Sequence, residues 1–272
     1  MGFERRGGRT VLTERRFALP LQVLEPMELE ASVAALMLLN PTGGVVAGDR
    51  LHTEVRLGAG SHACLTTPSA TRIYRSAGPP ALLTFRATLE AGARLEYVPD
   101  HLIPSPGARA RQVTEVSLAP GATALILDAW SVGRPARGEA WDFAELDLEL
   151  AVSDADGPIL RDRACLGGSR FWDRLGGAEG HAYVATFATV AAGTGKGAPA
   201  ERREWESLAA ELTARAASIE GARVGVSALG RSGVLARVLA GSAPALLEAT
   251  DALWAGSRRW LYALPPLRLR KL

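Results

Sequence analysis

Lysine is almost missing from this 272-residue chain: Lys196 and Lys271 are the only two, although lysine and arginine together number 31. The arginines are scattered, so the bias reads as composition and not as a nucleic-acid face. Against 29 acidic residues they leave a formal net charge of +2, too small to pull the chain toward polyanions or an acidic membrane. Basic residues are not interleaved with aromatics, which removes a base-stacking platform. Cysteine is equally scarce. Cys64 and Cys165 stand far apart, form no CxxC pair and build no disulfide framework, so a reduced, cytoplasmic setting is expected. Long apolar runs are missing too: the longest, Val33 to Leu39, falls far short of the roughly 20 residues a membrane helix needs. Met1 to Phe17 carries charge throughout and reads as no signal peptide. Arg6 stands where a myristoylation signal wants Ser or Thr.

Familiar catalytic and metal motifs are also lacking. Gly195-Lys196 invites a phosphate-loop reading, but Val190 holds the place of the required glycine and Gly197 that of Ser or Thr. Gly230-Arg231-Ser232-Gly233 fails the G-x-S-x-G spacing and reads as a turn. The four histidines, His52, His62, His101 and His181, lie at no ligand-like spacing, and each is read as a surface or turn residue. Carboxylates are many. A hydrolase could pair Asp49 with Asp100, and a β-solenoid carbohydrate-active enzyme using two carboxylates is the rival reading to the one reached below.

What is present is alternation. Leu57-Gly58-Ala59-Gly60-Ser61, Leu89-Glu90-Ala91-Gly92-Ala93 and Leu118-Ala119-Pro120-Gly121-Ala122 share the pattern Leu-x-x-Gly-small, with leucines 32 and 29 residues apart. Each follows an alternating run such as Leu51 to Leu57 and precedes a second strand-like run, so each reads as the turn of a hairpin. A fourth unit, Leu146 to Leu150, reverses at Asp154-Ala155-Asp156-Gly157. The expectation is a mostly β protein of stacked antiparallel hairpins, forming a β-sandwich or a solenoid-like body. Further strands are expected over Arg137–Leu150 and Arg163–Ala188, and a Gly-rich loop over 191–200. Two helices follow, on 3- and 4-residue apolar spacings: Glu201–Ser218 (Trp205, Leu208, Leu212, Ala216) and Ala243–Tyr262 (Leu246, Leu247, Thr250, Leu253, Trp254, Leu261). Between them, Arg223–Leu229 and Val234–Leu239 read as a hairpin. No composition shift marks a boundary, so one domain is expected over 1–272, with a β body over about 10–190 and a helix-hairpin-helix portion over 201–262.

Leu39-Asn40-Pro41-Thr42-Gly43-Gly44-Val45-Val46-Ala47-Gly48-Asp49-Arg50-Leu51 resembles the signature of the UreD (UreH) family of urease accessory proteins, where a Pro-x-Gly-Gly turn leads into Gly-Asp-x-Leu. The likeness continues to Thr66-Thr67-Pro68-Ser69-Ala70-Thr71-Arg72-Ile73-Tyr74-Arg75-Ser76, with Arg72 in the place of the family's lysine. Val132-Gly133-Arg134-Pro135-Ala136-Arg137-Gly138-Glu139 resembles its Gly-Arg-x-x-x-Gly-Glu segment, and Gly225–Leu229 with Gly233–Leu239 its late hairpin. Departures are local. Asn40 stands where many relatives carry histidine, Tyr97-Val98-Pro99-Asp100-His101 diverges from Trp-x-Pro-Gln-Glu, and the tail keeps Pro265 and Pro266 but lacks Arg-Ile-Trp.

The resemblance implies a non-catalytic scaffold for urease maturation. It implies a complex with UreF, the GTPase UreG and apo-urease, itself part of a dimeric assembly, with nickel in transit and no tightly bound cofactor. It makes Asn40, Gly43, Gly44, Gly48, Asp49, Thr66, Thr67, Thr71, Arg72, Tyr74, Arg75, Gly133, Arg134 and Glu139 the candidate partner-surface residues. With no clustered imidazole or thiolate, no tight nickel site is expected; Asp49, Asp100 and His101 are candidates for weak transit contacts. Asp49 is expected to cap a turn or to pair with Arg72 or Arg75.

Overall fold

The computed structural model describes residues 1–30, 32–75, 77–167, 173–193, 202–267 and 269. The chain opens with a hairpin of β1 (Gly2–Arg6) and β2 (Arg9–Glu14). The short β3 (Gln22–Val23) and β4 (Met27–Glu30) and the apolar β5 (Val33–Leu39) follow. Three coils come next. The first contains β6 (Gly44–Val45), β7 (Arg50–Leu57), β8 (His62–Thr66) and β9 (Thr71–Ile73). The second contains β10 (Ala81–Leu89), β11 (Arg94–Tyr97) and β12 (Leu102–Pro104). The third contains β13 (Arg109–Leu118), β14 (Thr123–Ser131) and β15 (Gly133–Arg134). After a 3-10 turn at Pro135–Arg137 come β16 (Glu139–Ala140), β17 (Glu145–Asp154), β18 (Gly157–Gly167) and β19 (Tyr183–Ala191). The chain then forms α1 (Arg202–Ala216), β20 (Ala222–Ala228), β21 (Gly233–Ala240) and α2 (Ala243–Tyr262).

The mostly β, solenoid-like body and the two helices match the expectation; the pairing across the repeated turns does not. β7, β10 and β13 pair with one another in parallel inside a seven-stranded sheet ordered β18-β17-β13-β10-β7-β1-β2. β8, β11 and β14 pair in parallel inside a second sheet, β20-β21-β19-β14-β11-β8-β5-β3. Each Leu-x-x-Gly-small turn therefore carries the chain from one sheet across to the other, and its flanking strands are not partners. The spacing near 30 residues is the length of a coil, and the repeat leucines stack directly, Leu57 on Leu89 on Leu118. The turns stack with them: the Gly60 amide donates to Ala91 O at 2.9 Å, and the Gly92 amide to Pro120 O at 3.1 Å. Gly60, Gly92 and Gly121 take φ of 64°, 67° and 74°, a left-handed backbone that side chains resist. Alternation alone cannot tell a corner from a hairpin, because both put apolar residues on one sheet face.

Two units are hairpins as expected: β17 with β18, reversing at Asp154 and Gly157, and β20 with β21. Arg231, in the second turn, reaches the first and donates to both Asp154 oxygens at 2.8 and 2.9 Å. The strand expected over Arg137–Leu150 is interrupted by the 3-10 turn, and its long part begins only at Glu145. Arg163–Ala188 divides between β18 and β19, with turns between them over 175–180. The loop expected over 191–200 lies outside the described residues beyond Gly193.

The two sheets bury an apolar core that includes Phe3, Leu36, Leu57, Leu65, Leu89, Leu95, Ile126 and Val190. On the outer face of the second sheet, α1 and α2 cover Cys64, Leu125, Phe187 and Val238. Trp205, Leu208, Leu212 and Ala216 are buried as their spacing predicts. α2 begins at Ser242, whose hydroxyl accepts from the Ala245 amide at 3.3 Å, and Pro244 occupies its first turn, where a missing N–H costs nothing. Leu247, placed by spacing on its apolar face, is instead 51% exposed.

Candidate functional site

The short strands of successive coils form a third, narrow side to the body, and the motif residues converge there. β6 pairs in parallel with β9 (Gly44 with Arg72, Val45 with Ile73), and β9 with β12 (Arg72 with Ile103, Ile73 with Pro104). The Tyr74 amide extends the ladder to Val45 O at 2.8 Å, and the Ser105 amide to Ile73 O at 2.9 Å. Segments far apart in sequence thus become adjacent rungs.

Within the ladder most motif residues hold backbone. Asn40 donates through Nδ2 to Gly44 O at 3.0 Å and accepts from the Thr42 amide at 3.1 Å, fixing the Pro-x-Gly-Gly turn. Gly43 and Gly48 take φ of 76° and 83°. Gly44 needs its lack of side chain for space: a Cβ there would sit 2.4 Å from Arg72 O and 2.6 Å from the Tyr74 ring. Asp49 caps its own turn, Oδ2 accepting from the Val46 amide at 2.9 Å. Among the described residues it has no ion pair with Arg72 or Arg75, both of which are exposed. Thr66 is buried on the helix side, its hydroxyl donating to Val98 O at 2.7 Å. Thr71 donates its amide to His101 O at 3.1 Å. Gly133 opens a small hairpin in which Arg134 Nε pairs with Glu139 Oε2 at 2.5 Å; a Cβ on Gly133 would lie 2.1 Å from Glu139 O.

Behind this ladder, between the two sheets, lies a cavity of about 120 Å³. Asn40, Gly43, Gly44, Thr67 and Thr71 line it from the motif side, and Gln112, Thr114 and Asp128 from the strands beyond. Among the described residues, two carboxylates, Asp100 and Asp128, reach its wall, and no lysine, arginine or histidine does. Asp128 is 8% exposed; burial pushes its carboxyl up to about 7, against the opposing effect of Gln112 Nε2, which donates to Oδ1 at 2.8 Å. The neighbouring Asp162 raises it further, and Arg237 lowers it. Burial also drives the Tyr97 hydroxyl far above its ordinary range. Asp128 and Gln112 carry no sequence signal that separates them from other strand polar residues, and only the register of the coils brings them to the cavity. A groove of about 1050 Å³ runs outside, between α2 and Val98–His101. Of the transit candidates, Asp100 borders both spaces, His101 lies in the groove with its ring edge-on to Tyr183, and Asp49 borders neither. Among the described residues, no three His, Cys, Asp or Glu side chains are grouped to hold a metal ion.

His62 departs from the surface or turn placement expected of it. It is 4% exposed on the opposite face of the second sheet, with Nε2 2.6 Å from Glu96 Oε1. Glu96 also accepts from Trp254 Nε1 at 2.5 Å and from Arg258 Nε at 3.1 Å. Arg258, fully buried, continues to Glu30 at 2.6 Å and to Pro265 O. His52 is exposed, as expected.

A family model described as UreD urease accessory protein matches residues 1–271. This chain belongs to the UreD family. The urease accessory protein UreD of Cupriavidus pinatubonensis is 35% identical over 273 residues, 98% of this chain and 91% of that protein. The UreD of Pseudomonas putida strain W619 is 42% identical over 181 residues, 66% of this chain; the match spans 64% of the relative's own length. The UreD of Cupriavidus metallidurans is 34% identical over 277 residues, 98% of this chain and 91% of that protein. The family comprises urease accessory proteins and not enzymes, so the carbohydrate-enzyme reading falls. The role is in urease maturation. No helix among the described residues is long and apolar enough to cross a membrane.

Proposed function

We propose that this UreD chain is a cytoplasmic scaffold that binds UreF, UreG and apo-urease and lines part of the path by which nickel reaches the urease active site. One observation supports the path: the pocket between the two sheets has two carboxylates on its wall and, among the described residues, no cationic side chain. Such a lining gives an anion no cationic side chain to bind, while a wall of hydroxyls, amides and two acids, with Asp128 still partly protonated near neutral pH, offers oxygen ligands that hold borderline Ni2+ loosely. Loose binding is what a path requires, since an ion in a deep well does not leave. The narrow ladder and its exposed Arg72 and Arg75 offer the partner-facing surface.

The test is twofold. Co-purification with tagged UreF checks the complex, and nickel content and activity of urease from a deletion strain check the role. The expected outcome is urease protein present at its normal level, poor in nickel and inactive. Full activity in the deletion strain under limiting nickel overturns the proposal.

A further inference from the structure

On the narrow side, three side chains in a row rest on glycine backbone. A Cβ on Gly44 would lie 3.1 Å from Arg72 Cβ and 2.6 Å from the Tyr74 ring, and one on Gly43 would lie 3.7 Å from the Tyr74 hydroxyl. Arg75 lies across Gly107, its Cγ 3.3 Å from where a Cβ would stand. Ile73 between them points inward and is 1% exposed, so Arg72 and Tyr74 share the outer face. Val46 adjoins them, since the Tyr74 amide is held by the carbonyl of Val45; it is one of the large apolar residues the chain leaves exposed.

The arginines here differ from those on the long face of the first sheet. There Arg86, Arg109, Arg111, Arg161 and Arg163 each meet a carboxylate of a neighbouring strand. Arg72 and Arg75 are exposed and form no ion pair among the described residues. Nearby acids are engaged elsewhere: Asp49 holds the Val46 amide, Glu139 pairs with Arg134, and Glu145 pairs with Arg109. Asp142 is exposed and also forms no ion pair among the described residues, but Arg137 in the 3-10 turn offsets it. The side is therefore left with positive charge that its own carboxylates do not answer. A guanidinium offers a planar fork that fits a carboxylate, and tyrosine offers a flat ring with a polar tip. Arginine and tyrosine are the residue types that most often anchor protein interfaces. Glycine floors fix the Tyr74 ring and the Arg75 stem in advance, which lowers the ordering cost of association.

We propose that Val46, Arg72, Tyr74 and Arg75 form a docking surface for a carboxylate-bearing protein, and that this protein is urease. The choice of urease rests on the function proposed above. Gly43 and Gly44, the floor beneath Tyr74, also border the pocket between the sheets, so a partner seated here stands at one end of the space assigned to nickel. Urease is the partner that receives the ion.

The test needs no nickel. The full chain, co-purified with UreF, is titrated against immobilised apo-urease by biolayer interferometry. Arg72→Glu combined with Arg75→Glu should weaken the complex by about thirtyfold or more, and wild-type affinity should fall as salt is raised. Tyr74→Ser should weaken it by about tenfold. Arg9→Glu combined with Arg203→Glu reverses two other exposed arginines that form no ion pair among the described residues, and should change affinity by no more than about twofold. Since Arg72 and Arg75 bond to no described residue, the double variant should melt with the wild type and retain UreF. Should it melt lower, Arg72→Gln combined with Arg75→Gln, which keeps polar side chains of similar reach, takes its place. Wild-type affinity in the charge-reversed or glutamine pair overturns the surface and leaves the proposed function standing. An equal loss in the Arg9 and Arg203 pair reduces the effect to net charge and overturns it too. Loss of UreF from the double variant overturns urease as the occupant. A wild-type chain with UreF that binds no apo-urease overturns both the surface and the proposed function.

Discussion

The second sheet carries a buried carboxylate on each face, and the two are held in opposite ways. Glu96, toward α2, is saturated: an imidazole, an indole N–H and a guanidinium converge on its two oxygens. Asp128, toward the other sheet, accepts from the Gln112 amide and borders open space. The first arrangement compensates a buried charge and ties β8, β11, β4 and α2 together. The second leaves the charge poorly compensated, which is why the proton is retained to about pH 7. One face of the sheet is thus closed by a saturated acid and the other leaves an acid beside open space, with the difference set by how many donors surround each.

The comparison breaks most directly at its stronger member. Glu96→Ala strands Arg258, fully buried, and should destabilise the protein by about 3–5 kcal/mol in urea unfolding; a cost below about 1 kcal/mol would show that the hub is decorative. Asp128 gives a smaller and pH-dependent effect. Its folded value of about 7 lies above the ordinary 3.8, so the folded state binds more protons between them and stability falls as pH rises through that window. The full loss approaches about 4 kcal/mol at 1.4 kcal/mol per pH unit. Asp128→Asn should flatten the difference between unfolding curves at pH 5 and pH 8, and an unaltered slope would place the titration elsewhere. Gly44→Val, at the cavity's motif side, should cost about 3 kcal/mol or more by overpacking against Arg72 O, read as a drop in Tm. The histidines sharpen the contrast at the low end. His62→Ala removes one of the partners of Glu96 and should cost about 1–3 kcal/mol, whereas His52→Ala, on an exposed strand face, should stay within about 0.5 kcal/mol.

The helices are legible in Trp205, Leu208 and Leu212 and in Leu246, Leu253 and Trp254, because an apolar period is local. The family is legible in the Asn40–Ser76 segment, where turn, strand and threonine-rich motifs follow one another in order. The pairing of the repeats is not: Leu57, Leu89 and Leu118 stack across coils, a long-range fact that a period-2 pattern does not encode. The same limit hides the site. Asp128 lies 61 residues from Thr67, and nothing local marks either as facing one cavity. His62 reads as polar and so as exposed; Glu96 and Arg258, which make its burial tolerable, arrive from other elements.

Stacked corners restrict how such a chain can change length. Successive corners are bonded amide to carbonyl, and the long strands between them run rung for rung from Leu82 to Leu89 against Arg50 to Leu57. Adding or removing one residue inside a long strand would shift every rung beyond it and turn its inner side chains outward. The coils nevertheless differ in length, 32 against 29 residues between their leucines. The registers divide that slack: two residues lie in the loops after the narrow side, near Ala77–Pro80 and Pro106–Ala108, and one lies between β8 and β9 as against β11 and β12. Insertions and deletions among relatives should therefore gather on the side that carries the motif ladder, leaving the corners fixed.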